Sequence, residues 1–208
     1  MIAVLIAGAV AMVLSLFGTR ALISFFDRIG KGQPILGSAD HGPVHHMKKQ
    51  GTATMGGIAI MVSAFIGWAV AHLRGGIALS DQAMIMWAIC GVLSVIGFLD
   101  DYLKVHRAQN RGIFWKKKGY ITFGLVVVMM TWLLLGTGVS ETLSFTRFDF
   151  PGWQLSPVLW VVWTSLMVWA TTNAVNVTDG LDGLAAGSAL FGFLAFTVIA
   201  YWAFRNPD

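Results

Sequence analysis

Apolar positions run through this chain in blocks rather than stripes. Six stretches, roughly 2–19, 54–73, 83–99, 120–139, 157–178 and 184–204, are hydrophobic on nearly every helical face, and polar residues collect between them. A stripe of 3.6-residue period marks a helix with one buried side, whereas a helix apolar all round needs an apolar environment on every side. About 20 consecutive apolar residues cross the ~30 Å hydrocarbon core of a bilayer as a helix. The pattern predicts an all-α fold, a polytopic membrane helical bundle with about six transmembrane helices in this chain. The first block has no basic n-region and no small-residue cleavage site before Arg20, so it reads as a retained helix rather than a signal peptide.

Composition strengthens that reading. Of 208 residues, 56% are hydrophobic and 12% charged, against about 25% charged in an ordinary soluble domain. The mean hydropathy of +0.71 excludes a soluble globular class. The net charge of +4 is unevenly placed. Arg20, Arg28, Lys31, Lys48 and Lys49 join blocks one and two, and Lys104, Arg107, Arg111, Lys116, Lys117 and Lys118 join blocks three and four. These are eleven of the fourteen basic residues. The positive-inside rule makes both connections cytoplasmic. Juxtamembrane placement points to anionic headgroups and topology, with no nucleic acid as partner. Cys90 is the sole cysteine, mid-block, and reads as a small buried hydrophobe.

On the opposite side, Leu143 to Phe150 alternates apolar and polar residues, predicting a short hairpin. Ser156-Pro157 predicts an N-cap and first residue of the fifth helix. Trp153, Trp160 and Trp163 suit interfacial anchors. On the basic side, Lys48-Lys49-Gln50-Gly51-Thr52-Ala53-Thr54-Met55-Gly56-Gly57 leads into the second helix. Free N–H groups at that start, beside Lys48, Lys49 and Thr52, form an anion-site candidate. The glycine spacing matches neither a P-loop nor a dinucleotide fingerprint. His45 and His46, adjacent in a polar connection, read as solvated.

Four carboxylates stand out. Asp100-Asp101 is expected to end the third helix, where negative charge opposes the macrodipole. Lys104 or Arg107 neutralises the pair in a purely structural reading. In a functional one it binds a cation or accepts a proton, since magnesium bridges carboxylates to substrate phosphates. Asn173, Asn176 and Asp179 recur every three residues, placing them on one face at the end of the fifth helix. Asp182, after Gly180, either caps the sixth helix or contributes to the same site. Lys116-Lys117-Lys118, expected ahead of the fourth helix, serves topology or holds a phosphate.

Together, Lys31-Gly32-Gln33-Pro34-Ile35, the Lys48 to Gly57 run, Phe98-Leu99-Asp100-Asp101-Tyr102 and Asn173 through Ala185 resemble the phospho-N-acetylmuramoyl-pentapeptide-transferase family. That family lies within the polyprenyl-phosphate N-acetylhexosamine-1-phosphate transferase superfamily. The resemblance implies magnesium-dependent transfer of phospho-N-acetylmuramoyl-pentapeptide from UDP to undecaprenyl phosphate, releasing UMP. The product is the first lipid intermediate of peptidoglycan synthesis, made at the cytoplasmic face of a bacterial inner membrane. It implies catalytic roles for Asp100, Asp101 and Asp179. Asp100 matches an acid proposed to bind or deprotonate the lipid phosphate, and Asp179 one required near the diphosphate and metal. Asp100 and Asp179 are the implied Mg2+ ligands. Lys48 and Asp182 match the uridine side of the cleft, and Lys116 a lysine near the lipid phosphate. Asn173 matches a polar position of the family; with Asn176 and Thr52 it completes the substrate-binding set. The implied partners are UDP-N-acetylmuramoyl-pentapeptide, undecaprenyl phosphate and bilayer lipids, with a homodimer as the assembly to test.

Two departures accompany the resemblance. Ala53 stands where the family has proline, which changes local stiffness more than chemistry. The chain is also expected to be the N-terminal part of a ten-helix fold, a single membrane-embedded domain over 1–208 truncated at its C-terminus, without the later loops and a further metal ligand. The competing readings are a sister transferase for another UDP-N-acetylhexosamine, an ion-conducting protein with acids along a path, and an inactive truncated lipid-binding or assembly protein.

Overall fold

The computed structural model describes residues 2–29, 55–73, 78–107, 113–143, 152–179 and 183–206. Among them are six helices and one two-stranded ladder, in two compact units, Met1–Ser140 and Glu141–Asp208. Five helices are long and apolar enough to cross a membrane, and a sixth is apolar but shorter. The chain is therefore an all-α, multi-pass membrane protein.

In the first unit, α1 (Ile2–Ile29) and α2 (Gly57–His72) pack antiparallel through small side chains. Gly18 lies against Ala59 and Ser63, while Gly67 lies against Ala7 and Ala11 at the other end. Ser63, Gly67 and Ala71 are buried at four-residue spacing on α2. Lipid offers no hydrophobic drive to pair helices, so close backbone approach across small residues does that work. α1 continues ten residues beyond the predicted end of its apolar block, carrying Arg20, Asp27 and Arg28. At 1.5 Å per residue it is about 42 Å long, so its polar end projects past the hydrocarbon core. α2 is shorter than expected, 16 residues or about 24 Å. It starts behind Met55, whose φ of 64° interrupts the helix, and Gly56.

The helices α3 (Asp81–Arg107) and α4 (Trp115–Thr137) also pair antiparallel, with Ile85 near Gly136 at one end and Asp100 bonded to Lys118 at the other. Ser80 caps α3 by accepting the Ala83 N–H at 3.2 Å. Ile85 and Ile89 are buried on α3, and Thr122, Val126, Met130 and Leu134 on α4. Phe65 and Trp68 of α2 meet Trp87 of α3 as an aromatic cluster. Gly138 ends α4 in the left-handed region at φ 61°, a conformation that costs other L residues a Cβ clash.

In the second unit, β1 (Thr142–Leu143) pairs antiparallel with β2 (Trp153–Gln154); of the alternating Leu143 to Phe150 segment only Leu143 lies among the described residues. Then come α5 (Pro157–Thr178) and α6 (Leu184–Arg205). Ser156 accepts the Leu159 N–H and Pro157 opens α5, as expected. Trp153 and Trp163 are exposed and suit anchors, but Trp160 is buried and packs in the protein. Gly183, at φ 79°, occupies the α6 N-cap; Asp182 lies outside the described residues.

Candidate functional site

Two sequence expectations need correction here. Asp100 and Asp101 do not end α3, which runs two further turns to Arg107. Lys116, Lys117 and Lys118 do not precede α4; they form its first turn, after Trp115. Both changes extend helices beyond the apolar blocks and bring the two charged ends together.

Asp100 is the centre of that meeting, with a side chain only 6% exposed. Its Oδ2 accepts hydrogen bonds from Lys104 Nζ and Lys118 Nζ, each at 2.9 Å. Its Oδ1 accepts the Ile113 backbone N–H at 2.9 Å, tying the connection before α4 to α3. Lys104 reaches Asp101 Oδ1 as well, at 3.1 Å. The arrangement explains why acids are tolerated inside the helix: each negative charge has a cation one turn on or across the seam. Asp101 and both lysines retain partial access to solvent.

Lys118 owes its orientation to α4. Lys118, Thr122, Val126, Met130 and Leu134 follow one another at four-residue spacing, the last four of them buried. Successive residues turn by about 100° around a helix, so only one of three consecutive lysines faces that seam. Lys116 and Lys117 are exposed beside it. Sequence reasoning offered the whole Lys116–Lys118 run and the resemblance singled out Lys116; the four-residue stripe was the signal available for choosing Lys118.

At the end of α5, Asn173 Nδ2 donates to the Trp169 carbonyl at 2.7 Å, while Asn176 and Asp179 are exposed. Asp179 is the C-cap, its N–H donating to the Val175 carbonyl at 3.0 Å. A carboxylate there opposes the helix dipole by about 0.3–1 kcal/mol. No side-chain hydrogen bond to Asp179 occurs among the described residues. The structure thus joins Asp100, Asp101 and Lys104 with Lys118, and separately aligns Asn173, Asn176 and Asp179. Lys48, Thr52 and Asp182 lie outside the described residues, as do His45 and His46.

Magnesium fits these groups unequally. Among the described residues no cluster of three His, Cys, Asp or Glu side chains could hold a metal. An exposed single carboxylate such as Asp179 suits an ion that keeps most of its water and bridges to phosphate. Asp100 suits it poorly. A dication about 4 Å from each ammonium would meet a repulsion on the order of 8 kcal/mol per lysine at an effective dielectric of 20.

Relatives extend the picture. The chain is 36% identical over 208 residues to a phospho-N-acetylmuramoyl-pentapeptide-transferase of Streptomyces griseus, covering 98% of this chain and 57% of that protein. It is 36% identical over 213 residues to a protein of the same name from Beutenbergia cavernae, at 97% and 58% coverage. A third, from Kocuria rhizophila, is 37% identical over 219 residues, at 97% and 57%. The chain thus spans somewhat over half the length of these relatives. The sequence profile of glycosyl transferase family 4 matches residues 82–207, which include the whole Asp100–Lys118 cluster and the end of α5. By that match the chain belongs to glycosyl transferase family 4, a family of enzymes.

Proposed function

We propose that this chain carries part of the site that transfers phospho-N-acetylmuramoyl-pentapeptide from UDP to undecaprenyl phosphate, releasing UMP. The observation that carries the reading is the name shared by the relatives, which align over nearly the whole chain. The lysine-rich ends of α3 and α4 support it chemically. The reaction brings two phosphate-bearing substrates together, and fixed cations offset their repulsion and the charge on the leaving nucleotide.

In this reading Lys104 and Lys118 donate to phosphate oxygens, with Lys116 and Lys117 raising the local anion concentration. Asn176 and Asp179 face the nucleotide diphosphate, and Asn173 braces the same turn of α5. Lys48 and Asp182 would serve the nucleotide, as the resemblance implies, with Thr52 a further substrate-binding candidate. Asp179 would hold magnesium, which would supply neutralisation of the diphosphate. In this reading the chemistry takes place at the cytoplasmic face of a bacterial inner membrane, an orientation that the positive-inside distribution supports. The lipid substrate reaches it from the bilayer and the nucleotide from water.

The test is UMP release from proteoliposomes containing the longest open reading frame that encodes this chain, with undecaprenyl phosphate and magnesium. The UDP-linked muramoyl-pentapeptide should be turned over at least a hundredfold faster than UDP-N-acetylglucosamine. Equal turnover, or preference for the simpler sugar, rejects the donor assignment; release that ignores the lipid phosphate rejects the reaction.

A further inference from the structure

The Asp100 carboxylate has little left to offer a substrate or a metal. Three of its roughly four lone-pair directions accept hydrogen bonds, one from Ile113 N–H and two from ammonium groups. The remaining direction lies on a side chain that is nearly buried. The lysines are in the opposite condition. An ammonium carries three N–H donors. Among the described residues Lys118 uses one, on Asp100, and Lys104 uses two, on Asp100 and Asp101. Both lysines keep partial access to water.

Because both ammonium groups bond the same Oδ2, their nitrogens lie no more than about 6 Å apart. That spacing lets two oxygens of one phosphate take a donor from each. The backbone bond to Ile113 fixes the carboxylate from behind, and the buried stripe below Lys118 fixes α4. The two cations are thereby held in place before any anion arrives, which lowers the reorganisation required on binding.

We propose that Asp100 is a positioning residue: it holds Lys104 and Lys118 as a paired receptor for a substrate phosphate and is neither a magnesium ligand nor the proton acceptor of the reaction. The inference rests on the phosphoryl-transfer reading above. The receptor takes a phosphate group, whether from the lipid monophosphate or from the nucleotide diphosphate, and separate titrations tell these apart.

The experiment uses the same full reading frame in nanodiscs, with Asp100→Asn, Lys118→Met, Lys118→Arg and the Asp100→Asn/Lys118→Met double variant. Mn2+ affinity is read by electron paramagnetic resonance, binding of undecaprenyl phosphate and of the UDP-linked donor by phosphorus NMR, and kcat and KM by UMP release. Asp100→Asn should leave Mn2+ affinity within about twofold and weaken one phosphate substrate about tenfold in KM and in binding. It should add less than threefold to the loss already caused by Lys118→Met, because the two act through one contact. Lys118→Arg should retain binding to within a few fold. A tenfold loss of Mn2+ affinity in Asp100→Asn overturns the proposal, as does a kcat loss above a hundredfold at unchanged KM, full additivity with Lys118→Met, or no effect at all. If Asp100→Asn does not fold, unchanged phosphate binding in Lys118→Met overturns the proposal, and a tenfold loss rescued by Lys118→Arg supports it. Absence of UMP release from the unsubstituted protein defeats the functional reading instead, and the two binding measurements still decide the role of Asp100.

Discussion

Gly67 and Gly18 lie on the same helix pair, yet alanine should act with opposite sign at the two. A Cβ built on Gly67 falls 2.5 Å from the Ala7 carbonyl oxygen and 3.0 Å from both Ala11 N and Cβ. Ordinary C···O contacts begin near ~3.3 Å, so α1 and α2 must separate locally by about 0.8 Å. A Cβ on Gly18 meets Ala59 Cβ at 3.7 Å and Ser63 Oγ at 4.0 Å, both comfortable. Removing glycine from a helix interior gains about 0.5–1 kcal/mol in either case. Overpacking a close interface costs about 1–3 kcal/mol. Gly67→Ala should therefore destabilise by about 1 kcal/mol net, and Gly18→Ala should stabilise by up to about 1 kcal/mol. Gly67→Leu should cost several times more than Gly67→Ala. Steric-trapping or denaturant titration of the bilayer-reconstituted protein measures each. If Gly67→Ala stabilised as much as Gly18→Ala, the small-residue account of this helix pair would be wrong.

Asp100→Ala leaves Lys104 and Lys118 without their shared acceptor; since both can turn partly to water, the loss should sit near the low end for a broken buried pair, about 3 kcal/mol, with faster hydrogen exchange at the Ile113 amide. Gly138→Ala forces a Cβ into the left-handed region and should destabilise the end of α4 by about 1–2 kcal/mol, read as a lower unfolding midpoint. Val126→Ala opens a void in the α3–α4 seam, where Val126 is 1% exposed, and should cost about 2 kcal/mol by the same titration. Ser156→Ala removes a long cap bond of 3.4 Å and should cost only about 0.5 kcal/mol.

The helices were legible in the sequence because membrane-spanning segments announce themselves as apolar blocks, and α5 and α6 begin and end almost where their blocks do. α3 and α4 show where that logic stops. A scan for apolar runs halts at the first charge, but the backbone does not when the charge finds a partner. Asp100 bonds Lys104 one turn later and Lys118 across the seam, so α3 continues to Arg107 and α4 starts at Trp115. The acids were visible as residues out of place; their pairing was not, because it depends on the antiparallel register of the two helices. The close approach at Gly67 was similarly hidden, since Ala59, Ser63, Gly67 and Ala71 look like ordinary members of an apolar run until their four-residue spacing is noticed.

The proposed function is tested most directly by membrane topology, because it requires the residues at the ends of α3 and α5 to be accessible from the same side of the membrane. Single cysteines at Tyr102, Asp179 and Leu79, in a Cys90→Ala background, can be treated with a membrane-impermeant maleimide on sealed vesicles of known orientation. Cysteines at 102 and 179 should react only from the cytoplasmic side, and the cysteine at 79, before α3, only from the opposite side. Labelling of 102 and 179 from opposite sides would contradict the account.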